Sequence, residues 1–238
     1  MPYYYGFDWT YLVIVLPCII LSMWASSSVK NTFNKYSKVN SIRRLTGAEA
    51  ARRVLFANGV QNVRIERVSG NLTDHYDPKT NVIRLSDSVH DSASVAAIGV
   101  ACHEAGHAVQ YARNYAPIQV RAAIIPLTNI GSKLAMPLIL AGILLSILGN
   151  FSYFLVDLGI AAFSLSLIFQ LVTLPVEFDA SRRAMETIET GGILTAEEQS
   201  GARKTLRAAA MTYVAATAVA LAQLVRLIVL FGGRRRRD

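Results

Sequence analysis

The sequence predicts a mainly α-helical integral membrane protein carrying a small α+β polar domain, on the strength of its composition, its long charge-free stretches and one polar segment with strand and helix signals. Of the 238 residues, 53% are hydrophobic and 17% charged, against about 25% charged in an average soluble domain. The 24 Lys and Arg outnumber the 16 Asp and Glu, giving a net charge of +8. This composition excludes a disordered chain and argues against a plain soluble enzyme. Two cysteines, Cys18 and Cys102, are too few for a disulfide scaffold.

The first span is predicted between Asp8 and Lys30, where 21 residues carry no charge and Trp9, Tyr11 and Trp24 sit like interfacial anchors. Basic residues follow the apolar run instead of preceding it, so it reads as an uncleaved anchor with its N-terminus outside. Lys30, Lys35, Lys38, Arg43, Arg44, Arg52 and Arg53 then assign the next segment to the cytoplasm. Between Lys133 and Glu177 the only charge is Asp157, across 43 positions. At about 1.5 Å per residue that length is too great for one crossing. Two helices, near 128–148 and 152–174, with a turn at Gly149-Asn150 account for it. Asp157 is read as a turn-proximal residue reaching the headgroups. A fourth apolar stretch runs from Ala208 past Arg226 to Phe231. Four crossings would leave Arg234 to Arg237 outside, against the positive-inside rule, so three and four spans both stay open.

The polar remainder is α+β. "TGAEAARRVLFANG" has a capping box at Thr46 and Glu49 and ends at Gly59, predicting a short amphipathic helix. "VRIERV" alternates and "NVIRLS" is β-branched after Asp77-Pro78, predicting a small sheet or hairpin. Ser92 or Ser94 can cap a helix running to about Tyr111. The segments expected are an anchor at 1–29, a polar domain at 30–121, a membrane hairpin at 122–176, a second polar helix at 177–207, and a final span with its basic tail at 208–238. No glycine-rich phosphate loop or internal repeat is present, and the basic tail beside an apolar helix reads as a headgroup anchor, so no nucleic-acid partner is expected.

The chemistry lies in "CHEAGHAVQYA". His103 and His107 are four residues apart, on one helical face, and can grip one ion together, with Glu104 beside them. A catalytic zinc takes three protein ligands and keeps one position open for water, whose proton an adjacent carboxylate can accept. The short metzincin continuation with a third His is absent. A distant carboxylate must complete the set, and the best is Glu177 in "TLPVEFDASRRA", where Pro175 would set the chain's exit from the membrane and Glu177 open the next helix. Asp179 is its competitor, because two residues along a helix turn about 200° and only one of the pair can face the ion. Glu177 could instead pair with Arg182 or Arg183.

These motifs, with "LTDHYDPKTNVIRLS", "ACHEAGHAVQ" and "LPVEFDASRRA" in that order, resemble the YugP-like neutral zinc metallopeptidases of bacterial membranes. That family is distantly similar to HtpX and Ste24-type membrane proteases. The resemblance implies a zincin-like, gluzincin-type domain with His103, His107 and Glu177 as zinc ligands and Glu104 as catalytic base. Such relatives carry Asp four residues after the ligand Glu, whereas this chain has Ser181. Ser181, Asp179 or another group must then orient the ligating histidine.

His75 and Tyr76 lie beside a predicted strand, and either could donate to an oxyanion; equally, "DHYDP" could be a surface turn in which Asp74 and Asp77 bond their own backbone. His90 reads as a solvated loop residue and Cys102 as a small buried one. The function expected is a membrane-anchored, Zn²⁺-dependent endopeptidase facing the cytoplasm. Its expected partners are the lipid bilayer, a peptide or membrane-protein substrate, and a membrane-protein partner or second copy of the chain. The alternative is an inactive scaffold that keeps zinc as a structural pin; a transporter finds thin support in Asp157, Lys133 and Arg226.

Overall fold

The computed structural model describes residues 8–232. Arg234 to Arg237, the basic tail that bears on the span count, lie outside the described residues. The elements in order are α1 (Leu16–Tyr36), preceded by a wide helical turn at Tyr11–Val15, α2 (Gly47–Ala57), β1 (Arg64–Val68), β2 (His75–Asp77), β3 (Val82–Ser86), α3 (Val95–Ala112), α4 (Ala116–Leu144), α5 (Asn150–Thr190) and α6 (Ala196–Phe231). Among the described residues, four helices are long and apolar enough to cross a membrane: those covering Tyr11–Tyr36, Ala116–Leu144, Asn150–Thr190 and Ala196–Phe231. The chain divides into two compact units, one of residues 25–120 and 173–212, the other holding the remainder.

In the second of these units, α4 and α5 form a close hairpin at the predicted turn, where Gly149 adopts φ +57°. Glycines from both helices let the backbones touch. A Cβ on Gly131 would fall 2.9 Å from the Ala162 carbonyl oxygen, one on Gly142 2.7 Å from that of Ser152, and one on Gly159 2.9 Å from that of Ala135. Small residues serve this role between apolar helices, where no hydrophobic force drives association and van der Waals contact must do so.

The polar unit is built on α2, α3 and the sheet. The Thr46 hydroxyl accepts from Glu49 N at 3.2 Å while the Glu49 carboxylate accepts from Thr46 N at 2.8 Å. Such a cap stabilises a helix by about 1 kcal/mol. Ala51, Val54 and Leu55 on α2 join Ile83 and Leu85 of β3 and Ile98, Ala101 and Ala105 of α3 in one core. Ser94 caps α3, its hydroxyl accepting from Ala97 N at 3.2 Å.

Of the small sheet or hairpin expected from "VRIERV" and "NVIRLS", the sheet forms and the hairpin does not: β1 and β3 are parallel, in the sheet order β1-β3-β2. The antiparallel partner of β3 is β2, with His75 opposite Arg84 and Asp77 opposite Val82. Three residues give too short a run for alternation to register. Nor does Glu177 open a helix, since α5 runs unbroken through Pro175. A proline removes one hydrogen bond, but in an apolar setting no other backbone conformation satisfies the remaining groups, so the helix continues.

Candidate metal centre

The centre joins two helices of the polar unit, α3 and the C-terminal part of α5. They approach closely at Gly106, where a Cβ would lie 2.5 Å from the Ala180 carbonyl oxygen. His103 precedes Gly106 by three residues and Glu177 precedes Ala180 by three, each about one helical turn, while His107 directly follows Gly106. The imidazole rings of His103 and His107 meet edge to face, with centroids 4.7 Å apart. Both turn Nε2 toward the same carboxylate oxygen, Glu177 Oε2, at 3.3 Å from His103 and 3.5 Å from His107.

These separations bear on the ion expected here. Zn–N and Zn–O bonds of about 2.0–2.1 Å in tetrahedral geometry set neighbouring ligand atoms about 3.3–3.4 Å apart. The observed spacing matches that edge, and one ligand atom from each of the three residues falls within 4.8 Å of the others. Glu177 is 2% exposed. A buried carboxylate between two imidazoles is a donor set that suits a divalent metal.

The groups behind the histidines differ. His103 Nδ1 lies 3.1 Å from the Ser181 hydroxyl. His107 Nδ1 lies 3.0 Å from Gln110 Oε1. Gln110 Nε2 donates to the Val176 carbonyl at 2.8 Å and to Asp179 Oδ2 at 2.9 Å. Asp179 accepts from Arg183 Nε at 2.6 Å and is also paired with Arg182. The two carboxylates that competed in the sequence therefore face different neighbours: Glu177 the histidines, Asp179 the arginines and Gln110. Sequence reasoning missed Gln110. Its signal was its place three residues after His107, one turn along the same helix.

Glu104 is buried at 9% exposure. Asp74, just before β2, accepts from Ser86 N at 2.7 Å and from the Ser86 hydroxyl at 3.0 Å. Burial pushes the Asp74 carboxyl above its ordinary range, the Ser86 hydrogen bonds oppose that, and the charge of Glu104 adds to it. For His107, burial disfavours the charged ring, but the Glu177 carboxylate, the charge of Glu104 and the Gln110 bond outweigh it, and the pKa is raised. Burial alone pushes the Cys102 thiol far up, so it is no thiolate.

The structure does not gather His75 and Tyr76 into this cluster of three. His75 is exposed, its Nδ1 2.8 Å from the Thr73 carbonyl. Tyr76 stacks obliquely on Tyr111, with centroids 5.6 Å apart, and its hydroxyl donates to Asn81 Oδ1 at 2.7 Å. Asp77 does bond locally, to Lys79 N and Thr80 Oγ1, as a turn residue would, whereas Asp74 reaches across to β3.

Residues 11–232 match the model of the family described as "Putative neutral zinc metallopeptidase". The chain is similar to the "Putative membrane protease YugP" of Bacillus subtilis (strain 168), at 45% identity over 221 residues, covering 93% of this chain and 96% of that one. No solved structure matches it. With a match across nearly its whole length, and two imidazoles and a carboxylate at a spacing suited to zinc, the chain belongs to the neutral zinc metallopeptidase family.

Proposed function

We propose that this protein is a multi-pass membrane endopeptidase of gluzincin type, its active site facing the cytoplasm, that hydrolyses peptide bonds with one zinc held by His103, His107 and Glu177. The observation that carries the reading is the convergence of both Nε2 atoms on Glu177 Oε2 at 3.3 and 3.5 Å. When bound, zinc supplies Lewis-acid chemistry, lowering the pKa of water toward about 7 and polarising a carbonyl. Glu104, next to His103 and buried at 9% exposure, accepts a proton from the attacking water and delivers it to the leaving nitrogen. Water oxygen bonds to the carbonyl carbon, the C–N bond breaks, and the products are a carboxylate and an amine. Substrate enters as an extended strand against an edge of the sheet between residues 63 and 86, as peptides commonly add to exposed edges. The basic residues between Lys30 and Arg53 support the cytoplasmic side, and membrane proteins or peptides at that surface are the substrates the location favours.

The test is zinc content followed by hydrolysis. Detergent-purified wild type should hold about one zinc per chain, and His103→Ala and Glu177→Ala should lose it. Glu104→Gln should keep zinc and lose cleavage of an unstructured protein substrate by about 10²–10⁴-fold. Cleavage unchanged in Glu104→Gln removes the mechanism, and a folded wild type that takes up no zinc removes the metallopeptidase reading.

A further inference from the structure

Gln110 is fully buried, and each end of its amide has a fixed task. Its Nε2 faces two acceptors, the Val176 carbonyl at 2.8 Å and Asp179 Oδ2 at 2.9 Å. A carbonyl oxygen has no proton to give, and Asp179 is kept ionised by Arg182 and Arg183. The group facing them must therefore be the NH₂, with both hydrogens engaged. Flipping the amide would set its oxygen against two acceptors and lose both of these hydrogen bonds.

With that orientation fixed, Oε1 is the atom 3.0 Å from His107 Nδ1. A carbonyl only accepts, so Nδ1 must carry the proton, and a neutral imidazole protonated there has its lone pair on Nε2. Nε2 is the atom turned toward Glu177. We infer that Gln110, held by Asp179, is the positioning residue that fixes His107 in the tautomer able to ligate through Nε2. The inference rests on the zinc reading above. It assigns Asp179 a role too: the carboxylate that family resemblance would set at position 181 acts from position 179, through Gln110, on the other histidine. His103 has no such constraint, because the Ser181 hydroxyl can donate or accept.

The experiment uses the full-length chain in detergent. Zinc dissociation constants are measured by competition with a chromogenic chelator for wild type, Gln110→Met and His107→Ala. Thermal unfolding of the chelator-stripped forms is followed alongside, and nitrogen NMR of ¹⁵N-histidine is recorded on zinc-loaded wild type, whose four histidines give a resolvable spectrum. Methionine keeps the volume and removes the hydrogen bonds. Gln110→Met should bind zinc about 10–100-fold more weakly, the usual effect of losing a group that orients a ligating histidine. A constant within about twofold of wild type, whether or not the melting curve moves, overturns the positioning role and leaves packing. Should Gln110→Met fail to fold, the NMR decides: His107 ligated through Nε2 with a proton on Nδ1 supports the inference, and ligation through Nδ1 overturns it. Wild type that binds no zinc, or His107→Ala with unchanged affinity, overturns the zinc site itself and the inference with it, a pattern distinct from an unaffected Gln110→Met alone.

Discussion

Arg226 and Asp8, 218 residues apart in sequence, form an ion pair in which Arg226 Nε reaches Asp8 Oδ2 at 3.1 Å and Nη2 contacts the same oxygen. The guanidinium also lies over the Tyr11 ring, 5.4 Å from its centroid. An arginine in an apolar helix is expensive unless paired, and this pairing explains how α6 carries one. It also ties the start of the first candidate span to the end of the last. Two helix ends that touch in this way lie at the same level of the unit, which requires an even number of crossings between them. If all four candidate helices cross a membrane, this pairing is accommodated; with three crossings it is not.

Cysteines introduced at positions 8 and 230 of a cysteine-free variant should accordingly react with an impermeant thiol reagent from the same side of intact cells or oriented vesicles. Reaction from opposite sides would restore the three-span topology.

Gly106 permits the approach of α3 to α5 on which the metal centre depends. Gly106→Ala brings a methyl to 2.5 Å from the Ala180 carbonyl oxygen, and neither helix can yield locally. A destabilisation of about 1–3 kcal/mol is expected, with weakened zinc binding as Glu177 moves away from the histidines. Gly99→Ala is the control, since its methyl would meet nothing closer than the Ala202 Cβ at 3.4 Å. Thermal melts with and without zinc distinguish the pair, and equal tolerance of both would show that the helix contact does not set the ligand spacing.

The raised pKa of His107 gives two pH dependences of opposite sign. In chelator-stripped protein the ring is protonated to a higher pH than its ordinary 6.5. Its stabilising contribution is complete below the unfolded value and is lost as pH rises through the folded one. Zinc requires the neutral ring, so its apparent affinity falls by about tenfold per pH unit below the raised value. On acidification from about pH 8 to pH 5, the melting increment due to zinc should shrink while the His107 contribution to the stripped form grows. A zinc increment independent of pH over that range would show that no ligand histidine competes with protons.

Tyr76→Phe tests the oxyanion role considered for that hydroxyl. Its hydrogen is donated to Asn81 at 2.7 Å, so it is not free to meet a developing charge. Loss of one oxyanion donor typically costs about 10²–10³ in kcat. Tyr76→Phe should cost less than about tenfold, and a loss in the full range would mean that the bond to Asn81 breaks during the reaction.

The legible parts of this protein are those set by local chemistry. The capping box at Thr46 and Glu49, the Ser94 cap and the Gly149 turn are short-range devices whose residues name the backbone they serve. The pairing of His103 with His107 follows from helix period alone. Glu177 was legible because few carboxylates follow a span. What stayed hidden depends on contacts distant in sequence. Nothing in "VRIERV" or "NVIRLS" encodes parallel pairing, since that direction is decided by what the intervening chain does. Gln110 reads as an ordinary helix residue until α5 lies against it, and Arg226 reads as a defect in a span until Asp8 meets it.

Cys102 stands one residue before His103 yet is fully buried in the core. It turns about 100° around the helix from its neighbour, and its thiol stays protonated. The proposed donor set is therefore two nitrogens and one oxygen, with no soft sulfur among them. Such a set discriminates poorly among borderline divalent ions, so cobalt should substitute readily, while copper(I) and other thiophilic ions gain no thiolate to hold them. Keeping that sulfur in the core would spare such a centre both thiophilic poisoning and oxidation at its edge, in a chain whose remaining cysteine lies in α1.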